Sequence, residues 1–124
     1  MNARLALALA AAFLFVAVGV GAFGAHALRA RLAPEQMAVY QTAVQYHFWH
    51  ALGLLAVGIL LAQKPDSGAL SLSAWLLVAG LVLFCGSLYL LALTGVRALG
   101  AVTPFGGAAF LAGWAALAWA VWRG

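Results

Sequence analysis

From Leu5 to Ala27 the chain carries no formal charge, and this run limits the possible folds more than any other feature. As a helix rising 1.5 Å per residue it reaches about 35 Å, enough to cross a hydrocarbon core of about 30 Å. Three further apolar runs follow. Of the 124 residues, 68% are hydrophobic and only 6% are charged. A soluble domain has about 25% charged residues, so this chain cannot cover its own surface with polar groups and its solvent must be lipid.

The charges that remain fit this reading. Glu35 and Asp66 are the only acids, against Arg4, Arg29, Arg31, Lys64, Arg97 and Arg123. All six cations lie near the ends of apolar runs, where long side chains snorkel to anionic headgroups. The net charge of +4 is too small and too scattered for a nucleic-acid partner. A single cysteine, Cys85, excludes an intramolecular disulfide.

These features predict an all-α integral membrane four-helix bundle forming one domain over residues 1–124. The spans are expected at about 5–27, 43–62, 73–94 and 104–122, with an interfacial helix start at about 34–42. Arg4 and the run behind it also resemble a signal peptide, and Ala25 to Ala27 loosely fits a small-x-small cleavage site. Signal h-regions run about 7–15 residues, however, so the longer segment reads as a retained helix. Ala17, Gly21 and Ala25, with Gly24 beside them, form a small-residue seam for a neighbouring helix.

Pro34 and Glu35 suit the first turn of the second helix. From Pro34 to Ala62 that helix has about 29 residues and spans about 44 Å, so its polar start should stand at or above the interface. Residues 63–68 read as a turn, with Ser71 or Ser73 capping the third helix and Gly95 closing it. A loop to Val102 precedes Thr103 and Pro104, a cap-plus-proline start. On the fourth helix Gly106, Ala109, Gly113, Ala116 and Ala120 form a second seam, packing either within the bundle or between subunits.

The chemistry is concentrated in the second helix. Gln36, Tyr40, Ala43, His47, His50 and Leu54 share one stripe, with Gln41 and Gln45 on another face. Counted inward at 1.5 Å per residue, His47 and His50 lie about 7 and 12 Å deep, Tyr89 about 6 Å and Cys85 about 12 Å. His26 lies near the surface of the same half. His26, Tyr46, His47, His50, Cys85 and Tyr89 therefore form one polar half-bundle.

Intramembrane imidazoles admit several readings. They can hydrogen-bond between helices and fix the packing. Spaced i, i+3, His47 and His50 can share a metal or haem, with Cys85 as a soft ligand. They can also line a proton or small-solute path. Enzyme chemistry lacks its parts: no acid completes a Ser-His-Asp arrangement, no carboxylates pair, and no phosphate loop follows a strand. By the positive-inside rule Arg4, Lys64 and Arg123 oppose Arg29, Arg31 and Arg97, three against three. The N-terminal amine and the lead of the first helix favour cytoplasmic termini.

Several motifs also carry a family resemblance. Gly21-Ala-Phe-Gly-Ala-His26, Tyr46-His-Phe-Trp-His-Ala-Leu-Gly-Leu-Leu-Ala-Val-Gly58, Leu83-Phe-Cys-Gly-Ser-Leu-Tyr89 with Leu93-Thr-Gly95, and Thr103-Pro-Phe-Gly-Gly107 with Gly113-Trp114 occur in order across nearly the whole chain. In these the chain resembles the YgdD-like family, a domain-of-unknown-function family of small bacterial inner-membrane proteins with eukaryotic relatives. The resemblance implies a multi-span protein of the bacterial inner membrane and supplies no reaction, cofactor or substrate.

The expected role is a non-enzymatic accessory or membrane-stabilising component. Its partners would be the lipid bilayer and either further copies of itself or other membrane proteins. The alternative is a ligand-binding or transport protein using the polar half-bundle.

Overall fold

The computed structural model describes all 124 residues. Its four long helices, Ala3–Leu28, Pro34–Gln63, Gly68–Thr94 and Arg97–Arg123, are each long and apolar enough to cross a membrane. They run up and down in turn. Both chain ends and the turn after Gln63 meet at one end of the bundle. There the terminal amine of Met1 donates to Ser71 Oγ and Lys64 Nζ donates to the Gly124 carbonyl.

Local chemistry sets the helix ends. Asn2 caps the first helix, its side chain accepting from the Leu5 N–H at 2.8 Å. Pro34 opens the second helix with Glu35 in its first turn. The third helix begins at Gly68, and its cap is Ser67, which accepts from the Leu70 N–H at 3.2 Å. The expected caps Ser71 and Ser73 lie inside the helix and are engaged elsewhere. Ser71 receives the terminal amine, and the fully buried Ser73 donates to the Gly113 carbonyl at 2.7 Å.

The third helix ends at Gly95, whose φ of 72° is the left-handed conformation that glycine adopts without steric cost. The expected loop beyond it contains a 3-10 helix, Arg97–Ala101. Thr103 does not cap the fourth helix: it is the first residue of the segment Thr103–Arg123, and its hydroxyl lies 2.6 Å from Ser87 Oγ. That bond joins the third and fourth helices instead.

Two further turns depart from α geometry. Gly24–Leu28 and Leu81–Cys85 are π-helical, a form that occurs mostly as single-turn bulges inside α-helices. A reading by regular 3.6-residue periodicity does not detect them.

The second and third helices form the middle of the molecule. The first packs chiefly on the second, and the fourth on the third. The core between them is built from Leu54, Val57, Leu61, Leu77 and Cys85, all essentially inaccessible. On the first helix the buried small residues are Ala6, Ala10, Ala17 and Gly24, while Gly21 is half-buried and Ala25 is exposed. Ala10, Ala17 and Gly24 are seven apart and stay on one face. The expected step from Ala17 to Ala25 drifts about 80° around the helix, which carries Ala25 outward.

On the fourth helix Gly106 and Gly113 are buried, with Ala109, Ala116 and Ala120 half-buried. A Cβ on Gly106 would lie 2.3 Å from Phe84 N, and one on Gly113 would lie 3.0 Å from Leu77 Cδ2. Both glycines thus meet the third helix of the same chain. The outer faces carry large apolar groups, with Phe15 82% and Leu111 75% exposed, as contact with lipid requires.

Candidate functional site

The second helix turns the buried face Tyr40, Ala43, His47, His50, Leu54 and Val57 toward the bundle, while Gln41 and Gln45 are exposed. Its polar members reach three different neighbours. The Tyr40 hydroxyl donates to the Val20 carbonyl of the first helix. His47 places Nδ1 2.8 Å from the Tyr89 hydroxyl of the third helix. His50 turns Nδ1 back on its own helix, 2.7 Å from the Tyr46 carbonyl.

These bonds give the two histidines different chemistry. A carbonyl only accepts, so His50 Nδ1 carries the proton and, in the neutral ring, Nε2 carries the free lone pair. His47 Nδ1 faces a hydroxyl, which can donate or accept. Its Nε2 is the one buried side-chain polar atom in the protein without a hydrogen-bond partner. The Phe13 ring meets the His47 imidazole edge-on, 6.0 Å away at 79°.

His50 also sits in an aromatic layer. Its ring stacks on Phe110 with centroids 3.5 Å apart and planes at 14°. It lies near-parallel to Tyr46 at 5.6 Å and 12°. Tyr46 in turn packs on Phe84 at 4.4 Å. Glycines make room for the large rings: a Cβ on Gly80 would lie 2.3 Å from Phe110, and one on Gly53 would lie 2.7 Å from Trp114. Tyr46, His50, Phe84, Phe110, Leu111 and Trp114 line an open groove of about 480 Å³ between the second, third and fourth helices.

Five of the six polar candidates divide between two places: His47 and Tyr89 are hydrogen-bonded with Cys85 beside Tyr89, and Tyr46 and His50 stack on each other. His26 lies in the first π turn and is exposed, away from the other imidazoles. Cys85 is buried in the apolar core with Leu81 and Phe110. His47 and His50, three residues apart, point to Tyr89 and Tyr46 respectively. No group of three or more His, Cys, Asp or Glu side chains converges anywhere. A metal shared by His47 and His50 with Cys85 thus has no geometry behind it. Beyond His50, toward the chain ends, the core holds Leu54, Val57, Leu61, Leu70 and Leu77 together with the fully buried Ser73, whose hydroxyl is bonded to the Gly113 carbonyl.

A family profile described as "Protein of unknown function (DUF423)" matches residues 20–107. The chain belongs to this family. Curated bacterial relatives agree. The UPF0382 membrane protein YwdK of Bacillus subtilis is 47% identical over 96 residues, covering 77% of this chain and 78% of the relative. The UPF0382 membrane protein SH2409 of Staphylococcus haemolyticus is 48% identical, covering 77% of each chain. No solved structure matches. The resemblance to a family of small membrane proteins of unknown function is thus borne out. The matched DUF423 segment contains all six polar candidates but stops before Phe110 and Trp114.

Nothing in the sequence singles out Phe84, Phe110 and Trp114 as site residues. Phe110 and Trp114 are four apart and share a helix face, so their pairing was available from spacing. Their placement against His50 was not, because it depends on how the fourth helix packs over Gly80 and Gly53.

Proposed function

We propose that the protein is a non-enzymatic accessory component of the bacterial inner membrane, a rigid scaffold with both termini in the cytoplasm that packs with itself or with other membrane proteins. One observation carries this reading: most of the buried polar side chains join helices, His50 being the exception. Tyr40 ties the second helix to the first, His47 and Tyr89 tie the second to the third, and Ser73 and Ser87 tie the third to the fourth. Such bonds are worth about 0.6 kcal/mol each on average within a membrane, so their effect is to fix register more than to add stability. The largely apolar core beyond His50 argues against conduction across the bilayer.

Complementation of a deletion strain tests the proposal. If the role is structural, the protein's ability to restore survival under membrane stress follows its stability. A His47→Phe/Tyr89→Phe protein that is folded at growth temperature should complement fully. A stable double variant that fails to complement would overturn the scaffold reading, since only chemistry at those groups would then separate it from wild type.

A further inference from the structure

We propose that the groove beside His50 is a binding site for a lipid-soluble aromatic alcohol, a phenol or hydroquinone head group on an apolar tail, whose hydroxyl donates to His50 Nε2. Three features support this assignment. The His50 side chain is 94% buried, being 6% exposed, and its Nδ1 proton is committed to the Tyr46 carbonyl. Nε2 has no protein partner, yet it is not among the enclosed unpartnered atoms. His50 lines the groove, and we place this accessible nitrogen at its wall. A neutral imidazole fixed in this tautomer offers a ligand an acceptor and no donor.

The walls supply the rest of the selection. Tyr46, Phe84, Phe110 and Trp114 line the groove, and aromatic side chains favour stacking with a flat aromatic group. At about 480 Å³ the groove is within the usual range for small-molecule sites. Its rim includes Leu111, which is 75% exposed to the lipid side, so a ligand dissolved in the bilayer enters laterally. Tyr46 and Trp114 add polar groups that donate. Because the Tyr46 hydroxyl can accept too, the preference is read with Tyr46→Phe as the background, which leaves His50 Nε2 the one side-chain acceptor lining the groove.

The site is separate from the interhelical bonds, and its test is independent of the scaffold reading. The probes are 4-decylphenol and its methyl ether, titrated calorimetrically into the full-length Tyr46→Phe protein in mild detergent at pH 8. The phenol should bind about tenfold more tightly than the ether, the difference of one hydrogen bond in an apolar site. In Tyr46→Phe/His50→Phe that preference should fall to about onefold. Gly107→Leu provides a second variant that keeps His50 intact. A Cβ there lies 3.8 Å from Phe84, in ordinary contact, and the longer side chain should fill the groove and abolish binding of both probes.

Decylhydroquinone distinguishes the two sources. Tighter binding than the phenol assigns the site to hydroquinones, and equal binding assigns it to simple phenols. Equal affinity for phenol and ether, no binding by the folded Tyr46→Phe protein, or a preference that survives His50→Phe would overturn the proposal. If His50→Phe does not fold, phenol binding undiminished by Gly107→Leu would overturn it instead.

Discussion

Tyr89 holds its hydroxyl 2.8 Å from His47 Nδ1, and the opposite nitrogen of the same ring faces the Phe13 backbone without a hydrogen bond of normal geometry. The pair is therefore half-satisfied. Removing the hydroxyl leaves two buried nitrogens without a normal hydrogen bond, whereas removing both polar groups leaves none. Replacing both partners of a buried hydrogen bond by apolar groups of similar shape is often close to neutral. Tyr89→Phe should destabilise the protein by about 1 kcal/mol. His47→Phe/Tyr89→Phe should recover most of that loss. Unfolding in mixed micelles measures both, and a double variant as weak as the two single losses combined would show that the hydrogen bond is not what couples them.

Adjacent glycines on the fourth helix should behave in opposite ways. A methyl on Gly106 would lie 2.3 Å from Phe84 N and 2.7 Å from Phe84 Cα, both backbone atoms that cannot rotate aside. A methyl on Gly107 meets the Phe84 ring at 3.8 Å. Gly106→Ala should force the third and fourth helices apart at a cost of about 1–3 kcal/mol. Gly107→Ala should be neutral or stabilising by up to about 1 kcal/mol, through better helix propensity. Thermal unfolding in detergent separates the two, and equal midpoints would contradict the close approach at Gly106.

The sequence made some of this architecture legible and concealed the rest for physical reasons. Uncharged runs long enough to span a bilayer left few alternatives to four membrane helices. The stripe through Tyr40, His47 and His50 could be read because a regular helix keeps residues three and four apart on one face. Helix starts were harder, because Ser67, Ser71 and Ser73 all carry a capping side chain. Only the fold shows that Ser71 is occupied by the terminal amine and Ser73 by the Gly113 carbonyl. The division of the polar half-bundle between His47 and His50 is hidden for a related reason. Depth and spacing place side chains near one another, but their hydrogen-bond partners aim them, and those partners belong to different helices. Glycine roles were partly hidden too, since Gly53 and Gly80 accommodate individual rings rather than form a periodic seam.

Cys85 gives a readout of the whole bundle. It is 2% exposed in the core cluster with Leu54, Leu81 and Phe110. Maleimide labelling should therefore be slow in the native protein and become fast only on unfolding. Labelling rate against denaturant should follow the loss of helicity in a single transition. Rapid labelling of the native state would mean that the third helix opens locally at its π turn.

Tyr40 and Gly24 provide the sharpest test of the contact between the first and second helices. The Tyr40 ring occupies the space a side chain on residue 24 would need, with Cε1 2.3 Å from an ideal Cβ. Its hydroxyl reaches the Val20 carbonyl, which also accepts from the Gly24 N–H. A carbonyl oxygen has two lone pairs and serves both donors. Tyr40→Phe loses only the hydroxyl contact, worth about 0.6 kcal/mol in a membrane. Gly24→Ala displaces the whole ring and should cost more, about 1–3 kcal/mol. In a Tyr40→Ala background the methyl at position 24 has space, so its penalty should largely disappear. Unfolding free energies of the four proteins in this cycle give the coupling directly. A Gly24→Ala penalty that persists in the Tyr40→Ala protein would place the constraint in the π turn itself rather than in the ring above it.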